Sequence, residues 1–190
     1  MQTETFLKDV ETLMRHRAQQ HIDEGAVAPG GSADQEVFIK LLNDALATEI
    51  VCVLRYRRHH FMARGIQSTS IADGFLVHSN EEQGHADEIA ERIVQLGGEP
   101  NFSPDGLVRR SHAEYMEGGS LVDMIKDGLV AERIVIDSYH RIIQNLGDKD
   151  PTTKRMLEGI VAAEEKHAHE MADLLKGLSA ELEHKRGAPA

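Results

Sequence analysis

The sequence predicts an all-α protein: a four-helix bundle built as two antiparallel hairpins joined by a long crossover, with an extra helix at the amino terminus. Three observations carry this. Aromatic residues make up only 4% of the chain, Trp is absent, and Ala, Leu, Ile, Glu, His and Arg dominate, which favours helix over sheet. Apolar residues recur at three- and four-residue intervals through four long stretches, the spacing of one helical face. With 190 residues, the chain is long enough for one domain with a sizeable core and little more.

Residues 3–22 place Phe6, Leu7, Val10, Leu13 and Met14 on one face of a short amphipathic helix. A loop signalled by Pro29, Gly30 and Gly31 follows, so residues 1–33 form an amino-terminal helix and loop. The bundle occupies 34–180, with helices at 34–64, 70–97, 120–147 and 151–180. Gly65, Gly97, Gly98 and the run GDKDP at 147–151 punctuate them. Residues 181–190 remain as a short carboxy-terminal tail. Only a few residues join the first bundle helix to the second, and the third to the fourth, which makes each pair an antiparallel hairpin. Between the hairpins lies EPNFSPDGLVRRSHAEYMEGG. A segment of that length spans up to roughly 65 Å, and a thirty-residue helix is about 45 Å long, so it can run the length of the bundle.

Charge narrows the function. A formal net charge of −11 repels nucleic acid and anionic lipid on average and attracts cations, which disfavours DNA binding. No run of about 18 apolar residues suits a membrane span, and MQTETFLKDVETLMRHR, with early acids and no continuous apolar segment, does not read as a signal peptide. The single cysteine, Cys52, cannot form an internal disulfide and fits a reducing compartment. It reads as a small buried apolar side chain. A cytoplasmic protein with no membrane association is expected.

The informative feature is what occupies the apolar stripes. The first bundle helix runs Leu42, Leu46, Glu49, Val53, Tyr56, and the second Ile71, Phe75, His78, Glu82, His85, Ile89. The third runs Ile125, Leu129, Glu132, Ile136, Tyr139, Ile143, Leu146, and the fourth Leu157, Ile160, Glu164, His167, Met171, Leu174, Leu178. Each helix puts an ionisable residue where a bundle wants Leu. Four carboxylates and two imidazoles meeting at mid-bundle would be very costly without cations to neutralise them. Mixed oxygen and imidazole donors suit iron, manganese or zinc, and the lack of thiolate argues against a structural zinc site.

The chain also repeats itself. Glu49 precedes Glu82 by 33 positions, Glu132 precedes Glu164 by 32, and the pair Glu82 and His85 recurs 82 positions on as Glu164 and His167. Tyr56 follows Glu49 by seven residues, as Tyr139 follows Glu132. Each half thus supplies one glutamate from its first helix and a Glu-x-x-His from its second, one turn apart on one face, as a pseudo-twofold site for two metals requires.

On these motifs the sequence resembles the ferritin-like dimetal carboxylate superfamily, and within it the bacterioferritin-type di-iron centre. LNDALATEIVCVLRY is similar to the first bundle helix of that family, EEQGHADEIAERI to the second, DGLVAERIVIDSY to the third and EGIVAAEEKHAHEM to the fourth. The resemblance implies that Glu49 and His85 bind one iron, Glu132 and His167 the other, and Glu82 and Glu164 bridge them. It implies a catalytic part for Tyr56, as a hydrogen-bond partner or electron donor beside the metals. Tyr139 and His78 are read as core or supporting residues. Glu81, Glu165 and Glu170 are expected to be solvated or to face a cavity, and His169, about 200° round the helix from His167, is expected to lie away from the centre.

Two departures refine the comparison. The methionine that follows the first bridging glutamate of bacterioferritins and holds haem is Gln83 here, which disfavours haem. After Leu178 only SAELEHKRGAPA remains, so the fifth carboxy-terminal helix of 24-subunit ferritins is missing. The outline is similar to Dps-like mini-ferritins, which implies a homo-oligomeric shell of 12 subunits. A ferroxidase follows from the resemblance: Fe(II) is oxidised by hydrogen peroxide or dioxygen and stored as ferric mineral. The alternatives are another dimetal enzyme, such as a manganese catalase or a rubrerythrin-like peroxidase, and a Dps-type DNA-protecting shell. The last is disfavoured because Lys8, Arg15 and Arg17 are outnumbered by acids in residues 1–24, and Lys185 and Arg186 sit beside Glu181 and Glu183.

Overall fold

A computed structural model describes residues 32–63 and 69–187. The amphipathic helix expected at 3–22 and the turn marked by Gly65 lie outside the described residues. Within them the chain forms α1 (Ser32–Met62), α2 (Thr69–Gln95), α3 (Leu107–Arg110), α4 (Leu121–Leu146) and α5 (Pro151–Gly187). No strand is present among the described residues. The all-α expectation holds, and α5 continues past residue 180, where the apolar periodicity fades.

Helix ends follow local chemistry. Gly97, at φ 76°, closes α2 in a left-handed turn. Its N–H donates to Val94 O and that of Gly98 to Ile93 O, both at 2.9 Å, the paired bonds of a Schellman stop. Ser120 caps α4 by accepting from Asp123 N at 3.2 Å, while its hydroxyl donates to the Asp123 carboxylate at 2.7 Å. Asp150 starts α5 by accepting from Thr152 N and Thr153 N at 3.2 and 3.0 Å, with Pro151 at the first helical position.

The helices α1 and α2 pack as one hairpin and α4 and α5 as the other. The crossover lies along α1 and is tied to it at successive levels. Asn101 N donates to Asn43 Oδ1 at 2.7 Å, His112 N to Thr48 Oγ1 at 2.9 Å and Arg55 Nη1 to Glu114 O at 3.4 Å, and His59 Nε2 lies 3.2 Å from Met116 O. One turn of it, α3, coils so that Leu107 packs on Ala47 and Val51.

This covering gives α1 a second buried stripe, Ala45, Thr48, Cys52, Arg55 and His59, beside the expected Leu42, Leu46, Glu49, Val53 and Tyr56. On α4 the buried face is turned from the expected one. Val135 and Ile142 are buried while Ile136 and Ile143 are only half-buried. Glycine at 128 explains the direction, because a Cβ there would lie 3.3 Å from the Tyr56 ring and hydroxyl and 3.4 Å from Met171 Sδ. The backbone of α4 comes close to Tyr56 where another residue would hold it off.

Candidate metal centre

Each helix of the bundle brings one turn to a common level. Glu49 comes from α1, Glu82 and His85 from α2, Glu132 from α4, and Glu164 and His167 from α5. All four glutamates are fully buried, His167 is 1% exposed, and His85 keeps one edge at the surface. The ligand atoms sort into two overlapping quartets, Glu49, Glu82, His85, Glu164 and Glu82, Glu132, Glu164, His167, with atoms in each quartet within 4.8 Å of one another. Glu82 and Glu164 belong to both.

The distances are those of donors facing a shared space. His85 Nδ1 lies 2.8 Å from Glu164 Oε1, 3.4 Å from Glu82 Oε2 and 3.8 Å from Glu49 Oε2. His167 Nδ1 lies 3.2 Å from Glu164 Oε2 and 3.5 Å from Glu82 Oε1. Yet Glu49 Oε2, both oxygens of Glu82, Glu132 Oε2, Glu164 Oε1 and His85 Nδ1 make no hydrogen bond of acceptable geometry. Buried oxygens of this kind are normally satisfied. Carboxylate oxygens and imidazole nitrogens that converge in this way fit divalent iron, manganese or zinc.

The two tyrosines are held crosswise. The Tyr56 hydroxyl donates to Glu132, and the Tyr139 hydroxyl donates to Glu49. Each therefore reaches from its own helix to the glutamate of the other hairpin. The pseudo-twofold relation in the sequence becomes a reciprocal contact between α1 and α4. These bonds hold the Glu132 and Glu49 carboxylates in place.

Electrostatics match a site built for cations. Burial, followed by the nearby Glu82, pushes the Glu49 and Glu132 carboxyls well above the usual range and favours their protonated forms. Burial alone would also raise Glu82, but contacts with His167 and His85 hold it below the usual range. Burial works against the His85 and His167 imidazolium forms, yet Glu164 and its neighbours push them up to about 12 and about 10. Without metal, protons do the neutralising.

One residue beside the centre, Arg55, was not singled out by its pattern. Arg55 is fully buried, 4.9 Å from the Tyr56 ring centroid, and donates to Cys52 Sγ at 3.4 Å. Its place in RYRRHH reads as a charge run, but the small residues at 45, 48 and 52 mark the stripe it continues. His78 is buried and stacks on His167, with ring centroids 4.2 Å apart. Glu81 and Glu170 are partly exposed and each bonds an imidazole, whereas His169 is 79% exposed and pairs only with Asp173 at 3.5 Å. Cys52 is buried, and burial raises its thiol pKa.

The ferritin-like domain family matches residues 39–180. The chain belongs to the ferritin-like family. It is 33% identical over 135 residues to a bacterioferritin of Mycobacterium avium, covering 70% of this chain and 80% of that protein. A nutrient stress-induced DNA-binding protein of Nostoc sp. is 29% identical over 179 residues, 89% of this chain and 92% of its own. Among solved structures, a dodecameric thioferritin, the bacterioferritin-related protein of Bacteroides fragilis, superposes with a TM-score of 0.75 at 27% identity, over 79% of this chain and 90% of that one. This ferritin-like chain is thus similar in sequence to bacterioferritins and shares its fold with Dps, and no described helix is long and apolar enough to cross a membrane.

Proposed function

We propose that this chain is a ferroxidase, which takes up Fe(II) at the intra-bundle centre, oxidises it with hydrogen peroxide or dioxygen, and holds the ferric product inside a homo-oligomeric shell. The observation that carries the reading is the pair of overlapping quartets sharing Glu82 and Glu164. Glu49 and His85 are the terminal ligands of one Fe(II), Glu132 and His167 those of the other, and Glu82 and Glu164 bridge them.

The chain's own residues account for loading. Glu49, Glu132, His85 and His167 hold protons in the metal-free state, so two divalent cations replace about four protons with little change of buried charge. Tyr56 and Tyr139 keep the terminal carboxylates aimed inward as those protons leave. Each substrate Fe(II) yields one electron. One hydrogen peroxide with two protons accepts the pair and departs as two waters, so no one-electron product is released. When a single Fe(II) is bound, Tyr56 can supply the second electron and lose its phenolic proton.

A shell of 12 subunits is supported by the dodecameric Bacteroides fragilis relative, and a reducing compartment suits the lone buried cysteine. The test is Fe(II) oxidation by purified protein under peroxide, with particle mass from light scattering. Acceleration over buffer by a particle of about 12 chains, lost in Glu82→Ala and Glu164→Ala, is expected. A monomer or dimer without acceleration refutes the reading. Manganese in protein from the native host, with oxygen evolved from peroxide, would point to a manganese catalase instead. The name of the Nostoc relative motivates a gel-shift assay, in which the net charge of −11 leads us to expect no retardation at moderate salt.

A further inference from the structure

One turn beyond His167, the apolar stripe of α5 continues with Met171. Packing alone would be served as well by Leu, which is close to it in volume. What methionine adds is a thioether, a soft sulfur that takes up an oxygen atom from an oxidant. Met171 Sδ and the Tyr56 hydroxyl lie 3.4 and 3.3 Å from the point that a Cβ of residue 128 would take. Glycine at 128 therefore leaves sulfur and phenol as neighbours, and this phenol is the one that donates to Glu132.

Met171 is 1% exposed, the burial of a core residue, yet it lines a cavity of about 170 Å³ between α2 and α5. A water molecule takes about 30 Å³ of the liquid, so the cavity has room for hydrogen peroxide, which is little larger. An adjoining cavity of about 640 Å³ shares Ile71, Glu170 and Leu174 with it and adds Asp173, whose side chain is 56% exposed, which leads the way to solvent. Two glycines keep this passage open. A Cβ at Gly74, on the inner wall, or at Gly177, on the outer one, would meet nothing within 4 Å. On the inner wall His78 Nε2 lies 3.0 Å from Glu170 Oε2, and Met171 supplies the one sulfur.

We propose that Met171 is a peroxide-sensitive modification site: hydrogen peroxide entering by the α2–α5 cavity transfers one oxygen atom to Sδ, giving methionine sulfoxide and water. The sulfur supplies the electron pair of the new S–O bond as the O–O bond breaks, and the departing hydroxide takes the proton of the transferred oxygen. The sulfoxide turns an apolar contact polar and sets a second acceptor beside the Tyr56 hydroxyl, in competition with Glu132. Peroxide that arrives when no Fe(II) is present to consume it thus slows the centre until the sulfur is reduced again. This brake rests on the ferroxidase reading given above; the oxidation of the sulfur does not.

The test exposes the chelator-treated full chain to hydrogen peroxide without iron and then removes the peroxide. Trypsin releases Met171 as the only methionine of residues 167–176, so the gain of one oxygen by that peptide reports its oxidation by mass. Met171 should keep pace with Met62 and Met116, which are 46% and 44% exposed, while Met124, 5% exposed and not on the cavity wall, keeps its thioether. Fe(II) oxidation by the treated wild type should then be slowed roughly tenfold, a loss of the size seen when residues supporting a metal are disturbed, and Met171→Leu should keep its untreated rate. Gly74→Leu, which narrows the cavity, should slow oxidation of Met171 and leave that of Met62 unchanged. Met171 lagging behind Met62 and Met116 as Met124 does, or an equal loss of rate in Met171→Leu, overturns the proposal. Untreated wild type that fails to speed Fe(II) oxidation overturns the ferroxidase reading and the brake with it, while the peptide masses still decide the fate of the sulfur.

Discussion

At the scale of single residues, four carboxyl groups in helical seams impose a cost that bound protons or metal cations relieve. Glu49 and Glu132 have raised pKa values, through burial first, and His85 and His167 are raised to about 12 and about 10 by surrounding carboxylates despite burial. Each binds more protons folded than unfolded between its ordinary and shifted values. Stability of the metal-free chain therefore falls as pH rises, from about 4.5 upward for the carboxyls and from about 6.5 upward for the imidazoles. The imidazolium contribution is complete below the lower of its two values and lost through the upper one. Thermal unfolding of chelator-treated protein at fixed concentration should give a lower Tm at about pH 8.5 than at about pH 5.5, with Zn(II) raising Tm more at the higher pH; the opposite slope would contradict the proton-filled centre. Tyr56→Phe leaves Glu132 without its phenol, so affinity at one of the two sites should fall about 10- to 100-fold in competition with a Zn(II) chelator. An unchanged affinity would make Tyr56 a packing residue.

At the scale of the element, the join between hairpins tests whether the bundle stands without metal. Arg92 of α2 is 6% exposed and donates to both Asp150 oxygens, at 3.0 and 2.9 Å, and to Thr153 Oγ1 at 2.8 Å. Asp150 thus caps α5 and compensates a buried cation of the other hairpin. Burial would raise the Asp150 carboxyl, but Thr153 and Arg92 hold it below the usual range. Its stabilisation is present above the ordinary carboxyl value of about 3.9 and is lost as pH falls through the lowered one. Asp150→Ala should cost about 1–2 kcal/mol for the cap alone in urea unfolding near neutral pH, and more for the orphaned Arg92. The gap to wild type should narrow as pH falls below the ordinary carboxyl value of about 3.9 and through the lowered one. The spacing of apolar residues made α1, α2, α4 and α5 legible in the sequence, because each buries a continuous stripe. The single turn α3 was not, since Leu107 folds inward only against Ala47 and Val51.

At the scale of the whole molecule, the described bundle leaves large apolar side chains in water. Leu54 and Phe61, two turns apart on α1, are 49% and 66% exposed. A shell of copies would cover such residues. Leu54→Asp with Phe61→Asp should lower the particle mass measured by light scattering while circular dichroism keeps the helical signal. A particle of unchanged mass would place the subunit contacts elsewhere.

The sequence by itself determined that this chain makes a helical bundle with Glu49, Glu82, His85, Glu132, Glu164 and His167 on its inner faces, because helical phase alone decides which face a residue takes. The tertiary structure alone decided who meets whom. Helical phase within α1 cannot show that Tyr56 serves Glu132 and Tyr139 serves Glu49, because those bonds exist only once the hairpins are laid together. Nor could it show that Arg55 is buried, which follows from a crossover lying over a second stripe of α1. The crossed pairs His78 with Glu170 and His167 with Glu81 have the same origin: their distances are set between α2 and α5, and no spacing along one helix encodes them.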